Sequence, residues 1–322
     1  MTRGVSESVR RIPSPRRSEL PYVGVVIATR DRPYQVRRAL ASVEAQDYAG
    51  PMRIVIVYDG IPPDWGLAHG GARPVLVLEN WRRAGLAGAR NTGILAAGDC
   101  ALVALCDDAD TWAPQKLTSQ VNAMRARPGA LFATCAAEIE YGGRRIPRLA
   151  GRRDLAIEDL TTDRIRLCAS GFVARQDALA TDPARGGIGL VAEDGPADGT
   201  EWDLLLRAAR RAPIVNVDHP LVRVLWRSRE TDPPACADRA STLRWLAGRH
   251  PELGEEPATA ARLYAEIACW EAAAGHRQPA RVWARAAARQ RWYAPFVGLG
   301  IAAATGLLRG RQLRAVLRRL LP

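Results

Sequence analysis

The segment Ala101–Leu117 (ALVALCDDADTWAPQKL) runs from six apolar residues straight into three carboxylates, and no other feature constrains the fold as much. Ala101–Cys106 reads as a short buried strand of a parallel sheet. Asp107, Asp108 and Asp110 then crowd its carboxyl end, which is where open α/β sheets bind ligands. Carboxylates this close repel one another unless a cation or a hydrogen-bond network compensates them. Two readings stay open at this point. In one, some of these acids hold Mg²⁺ or Mn²⁺, hard cations that take oxygen ligands and keep positions for phosphate and water. In the other, the acids form a turn before a helix starting near Pro114, with Asp110 as its cap.

The residues upstream repeat the same alternation of strand and helix. Tyr22–Ala28 is a β-branched run that ends at Thr29-Arg30-Asp31-Arg32-Pro33. A helix should follow, because Val36, Ala39, Leu40 and Val43 share one face at helical spacing. Arg53–Tyr58 predicts a second strand ending at Asp59-Gly60, and Pro74–Leu78 a third. Gly85–Ala97 predicts a helix, closed by Gly98-Asp99. This order argues for a parallel sheet with crossover helices. Thr29, Asp31, Asp59 and Asp107–Asp110 would then meet on one rim.

Composition narrows the function classes. The 322 residues hold one large domain with an appendage, or two small ones, at an ordinary 48% hydrophobic and 25% charged. The formal charge of +12 invites a nucleic-acid reading. Lys116 is the only lysine, however, so the excess is arginine and fits a GC-rich coding bias equally well. No recognition helix, zinc spacing or aromatic–basic sheet motif is present, and no nucleic-acid partner is expected. The six cysteines show no C-x-x-C pairing and read as buried free thiols of a reducing compartment. No signal peptide or spanning helix is expected, since Ala294–Leu308 is short and broken by Pro295 and three glycines. The expectation is a cytoplasmic protein with a flexible basic arm at 1–20.

Five segments in order carry a resemblance: VVIATRDRP, VIVYDG, AGLAGARNTGILAAGD, ALCDDADTWAPQKLTSQ and TEWDLLLRAARR. From Pro21 to Arg227 the chain resembles an inverting family 2 glycosyltransferase. Five ordered motifs are far more specific than one short acidic match. The resemblance implies a GT-A fold over 21–228, with a mostly parallel sheet flanked by helices, and a helical basic extension over 229–322. It implies transfer of a sugar, with inversion, from a nucleotide-diphosphate donor (a UDP-sugar by family habit) to a glycan, lipid-linked or small-molecule acceptor. A catalytically impaired or metal-independent binding protein of the same fold is the alternative.

The resemblance also implies residue roles. Thr29, Asp31, Asp59, Arg90, Asp107 and Asp108 would line the donor pocket. Related enzymes usually carry an aspartate, often the metal ligand, where this chain has Ala109. A divalent cation (Mg²⁺ or Mn²⁺) would then fall to Asp108 and Asp110. Glu201 sits at the family's catalytic acid position, with Asp203 next in line. Glu193-Asp194, in a glycine-rich loop, competes with them for that role. Ser170 and Gly171 would touch the acceptor, on a strand over Cys168–Arg175. Trp112 should pack under the acidic loop, Lys116 should be a helix-surface charge, and His219 a loop histidine.

Beyond Arg227 the pattern changes. Tyr264–Glu271 and Ala280–Arg289 read as alanine-rich helices. No acid follows Ala272, against ten arginines. Leu313, Val316, Leu317 and Leu320 fall on one face of a terminal helix. Such a helix suits an anionic membrane surface, or alternatively docks on its own domain.

Overall fold

The computed structural model describes residues 20–141, 143–162, 165, 167–225, 232–308 and 310–320. All but Leu20 of the basic arm expected over 1–20 lies outside these residues. Along the chain come β1 (Val23–Thr29), α1 (Pro33–Glu44), β2 (Met52–Tyr58), β3 (Val75–Glu79), α2 (Leu86–Ala96) and β4 (Leu102–Asp107). After them follow β5 (Thr111–Trp112), α3 (Lys116–Arg125), β6 (Phe132–Tyr141), β7 (Arg144–Arg148), β8 (Asp154–Leu155) and α4 (Ile157–Thr162). Then come β9 (Val173–Arg175), α5 (Gln176–Ala180), α6 (Thr200–Ala209) and β10 (Ile214–Leu225). Five helices close the chain: α7 (Pro233–Arg249), α8 (Pro257–Ala274), α9 (Arg277–Arg291), α10 (Pro295–Thr305) and α11 (Gly310–Leu320). Proline opens α1, α7, α8 and α10, where its missing N–H costs nothing.

One mixed sheet runs in the order β3-β2-β1-β4-β9-β6-β10-β5, with β7 added to β6 and β8 to β10. The β3-β2-β1-β4 half is parallel throughout. β9 enters antiparallel between β4 and β6, while β10 returns parallel to β6. Alternation along β1 explains the layers. Val23, Val25 and Ile27 pack with Val36, Ala39 and Val43 of α1 and Leu117 and Val121 of α3. Val26 faces the other way, with Ile94 of α2 and Leu204 and Leu205 of α6. Gly93 lets α2 lie close on β1, since a Cβ there would stand 2.2 Å from Val26 Cγ1. That approach positions Arg90, one turn earlier on α2.

Two expectations need correction, and a third was open between two readings. The strand expected over Cys168–Arg175 is a 3₁₀ turn at Ala169–Gly171 followed by the three residues of β9. Lys116 is not a surface charge: it is fully buried, its Nζ 3.9 Å from the Trp112 ring centroid and bonded to Gln120 at 2.7 Å. Burial lowers its pKa accordingly. The terminal helix α11 docks on its own chain. Leu313 and Leu317 are buried with Cys236, Ile267 and Trp270, and Val316 beside them is half-buried. Among the described residues no helix is long and apolar enough to cross a membrane.

Candidate functional site

Three parallel strands end on one rim and deliver Thr29, Asp59 and Asp107 there. The chain reverses at once after β4, with Asp110 N–H donating to the Asp107 carbonyl at 3.1 Å. This turn aims the acids in different directions. Asp108 accepts from the Thr29 hydroxyl at 2.7 Å and from Arg32 at 2.9 Å. Asp107 accepts from Arg90 at 2.6 Å, and the same nitrogen of Arg90 donates to Glu201 at 2.9 Å. Glu201 also accepts from Ala169 N–H at 3.2 Å. Arg90 therefore joins the acidic loop after β4 to the first turn of α6, 111 residues away in sequence. Its side chain is 3% exposed, whereas Asp107 and Glu201 keep 33% and 28% in solvent. The two acids are held together yet remain reachable.

Asp59 does a different job from Asp107. It accepts from Gly85 N–H at 3.0 Å and from Asn80 at 2.8 Å, and Arg30 stands 4.0 Å away. Gly85, at φ 120°, is the N-cap of α2, so Asp59 anchors the start of the helix that carries Arg90. Beside it lies a cleft of about 300 Å³ lined by Tyr58, Gly60, Ile61, Pro62, Glu79 and Asn80. Sequence reasoning gave none of these six a site role, placing Tyr58 and Gly60 only at the end of the second strand; Glu79 and Asn80 were detectable as the end of the third. Asp31 is exposed and, at φ 50°, holds a left-handed conformation uncommon for a residue with a Cβ.

The expected acceptor residues are placed otherwise. Ser170 is fully buried, donating to Asp110 at 2.5 Å and accepting from Asp107 N–H at 2.8 Å. Gly171 is also buried, its carbonyl accepting from Gln120 at 2.7 Å. Ser170 braces the acidic turn, Gly171 joins α3, and both are buried. Asp203, two residues beyond Glu201, is fully buried and accepts from Arg207, Arg249 and His250 at 2.7–3.0 Å. It ties α6 to the end of α7 and is out of reach as a substrate base. Glu193 is engaged by Arg82 and by Asn91, which also pins the Val191 backbone to α2. His219 is exposed, inside β10 at a register shift and not in a loop.

Electrostatics separate these acids further. Burial pushes Glu201 above the ordinary glutamate range; Arg90 opposes this and Asp107 adds to it. Burial, with Asp107 next, pushes Asp110 up to about 8. For Asp203 burial acts upward too, but His250, Arg207 and Arg249 outweigh it and hold the carboxyl well below its usual range. Glu193 is also held low, because Arg82 and Asn91 outweigh its burial.

The acids around Ala109 are already hydrogen-bonded to protein groups. A hard divalent ion takes oxygen ligands, one or two from protein carboxylates and the rest from phosphate and water. Both oxygens of Asp108 are committed to Thr29 and Arg32, and Asp110 is 5% exposed and bound to Ser170. Among the described residues no three His, Cys, Asp or Glu side chains stand where they could share an ion. The Asp108–Asp110 pair expected as ligands is thus engaged by Thr29, Arg32 and Ser170 in this structure.

Residues 24–180 match the model of glycosyl transferase family 2. No curated protein matches the sequence. Among solved structures, TarS 1-349 from S. aureus superposes with a TM-score of 0.61 at 14% identity, over 92% of this chain and 91% of that one. The same fragment in complex with UDP-GlcNAc gives 0.64 at 15%, over 92% of each chain. The mannosyltransferase PcManGT from Pyrobaculum calidifontis, in complex with GDP-Man and Mn²⁺, gives 0.55 at 17%, over 94% and 88%. At these identities the likeness concerns the fold. Sequence match and fold agree: residues 24–180 match glycosyl transferase family 2, within a chain that shares the GT-A fold of these neighbours.

Proposed function

We propose that the crevice at the ends of β1, β2 and β4 binds a nucleotide-diphosphate sugar and that Glu201 is the base for inverting transfer. The observation that carries this reading is the Arg90 bridge, which holds Glu201 beside the acidic loop while leaving it open to solvent. A base so placed removes the proton of an acceptor hydroxyl as its oxygen attacks the anomeric carbon. The new C–O bond forms opposite the leaving group, and the electron pair of the broken bond departs with the nucleoside diphosphate. The raised pKa of Glu201 makes it a better proton acceptor than an ordinary glutamate near neutral pH.

The cleft beside Asp59 suits the base and ribose, flanked by Tyr58 and the Ile61-Pro62 apolar edge. A UDP-sugar is the first candidate donor, given a neighbour solved with UDP-GlcNAc, and a GDP-sugar the second, given one solved with GDP-Man. The acceptor is a glycan, a lipid-linked sugar or a small hydroxylated molecule. The transferase unit is taken as 21–228, with 229–322 packed on it as a helical extension. Anchoring to an anionic membrane through α11 is not part of the proposal, because Leu313 and Leu317 pack on the chain itself.

A panel of UDP-, GDP- and dTDP-sugars tests the reading, scored by thermal shift and by nucleoside diphosphate release. A bound donor raises the melting temperature. Asp108→Asn should abolish the shift, whereas Glu201→Gln should keep it and slow release by about 10²–10⁴-fold. Turnover by Glu201→Gln at the wild-type rate would refute the assignment. The second reading, a binding protein without turnover, is favoured by Ala109 and predicts a shift with no release from any donor.

A further inference from the structure

We infer that Arg30 and Arg32 supply the positive charge for the donor's diphosphate, so that nucleotide binding does not depend on a divalent cation. The inference rests on reading the crevice as the donor pocket. Its starting point is the mismatch between the acidic turn and a cation site. Ala109 contributes a methyl group where an oxygen ligand would serve, and hard cations bind through oxygen. The flanking acids already have partners: Asp107 has Arg90, Asp108 has Thr29 and Arg32, and Asp110 has Ser170.

A diphosphate entering a rim of aspartates needs compensating charge. Arg90 cannot provide it, being 3% exposed and shared between two carboxylates. Arg30 and Arg32 can. Their side chains are 67% and 52% exposed, and they sit on the loop that leaves β1 at the same rim. The loop turns at Asp31, so Arg30 reaches toward Asp59 and Arg32 toward Asp108, one on each of two donor-pocket acids. Asp108 takes one nitrogen of the Arg32 fork, and the exposed remainder of that fork can donate to phosphate oxygens. A guanidinium offers five planar donors suited to phosphate and stays charged at any working pH.

The test is calorimetric titration of the full chain with UDP, GDP and the corresponding nucleosides, in EDTA and again in Mn²⁺. The diphosphate should bind in EDTA with a Kd within about threefold of its value in Mn²⁺. Arg32→Met should weaken the diphosphate by about tenfold or more in EDTA and leave nucleoside affinity unchanged, with Arg30→Met smaller in the same direction. Diphosphate binding that vanishes in EDTA and returns with Mn²⁺ would overturn the inference while leaving the donor pocket intact. Equal weakening of nucleoside and diphosphate by Arg32→Met would also overturn it, as the mark of a merely structural arginine. No binding of any nucleotide in either buffer would overturn the donor reading, and this inference with it.

Discussion

Glu201 and Asp203 lie two residues apart on α6, and both are bound by arginine, yet their environments are opposite. Glu201 faces the rim, shares Arg90 with Asp107 and keeps a quarter of its surface in water, at 28%. Asp203 points into the seam with α7, where Arg207, Arg249 and His250 enclose it completely. One carboxyl is pushed up and the other is pulled down. The partners decide the direction: one arginine divided between two acids for Glu201, against two arginines and a histidine hydrogen bond concentrated on Asp203. An acid under weak compensation can take a proton during a reaction. One under strong compensation holds a fold together.

The largest effect should come from the buried member. Asp203→Asn strips the counter-charge from Arg207 and Arg249 and should cost about 3–5 kcal/mol in denaturant unfolding. A loss below about 1 kcal/mol would erase the contrast. The same group governs acid sensitivity. Its folded pKa lies below the unfolded value of about 3.9, so its stabilisation is complete above that pH and is lost as pH falls further. Unfolding midpoints measured from pH 5 to pH 2 should fall more steeply for the wild type than for Asp203→Asn.

A middle-sized effect is expected at Gly93. Alanine there drives a Cβ into Val26 and should cost about 1–3 kcal/mol, while shifting α2 and with it Arg90. Turnover by the folded fraction should drop, although the residue touches no substrate and lies away from the Asp203 cluster. The smallest effect belongs to the rim. Glu201→Gln should alter stability by no more than about 1 kcal/mol, since its surroundings are partly open and Arg90 keeps Asp107.

Much of the parallel half of the sheet was legible. β1, β2, β3 and β4 lie within one residue of the apolar runs that predicted them, because buried parallel strands are short, β-branched and sharply bounded. The acids at their ends were legible for the same reason, since a strand end fixes where the next residue goes. The other half was not. β10 contains Asp218-His219-Pro220, which reads as a break, and it survives through register shifts against β6.

Burial of polar groups was the second blind spot. Lys116 opens α3 with Gln120 one turn further on, and Trp112 of β5 places its ring against the same ammonium. Read as a charge on a helix, it looked solvent-facing. Ser170 and Gly171 were assigned to an acceptor, whereas both are buried and Ser170 braces the acidic turn. His250, which closes the Asp203 cluster from the far end of α7, carried no local signal.

The pH dependence of kcat/KM for sugar transfer, measured on the wild type and on Glu201→Gln, tests the central claim most directly. The wild type should lose activity on the acid side through an apparent pKa above the ordinary glutamate value of about 4.3. Glu201→Gln should run about 10²-fold slower or worse and lack that limb. A glutamine variant that keeps both the rate and the acid limb would contradict the account and move the base elsewhere on the rim.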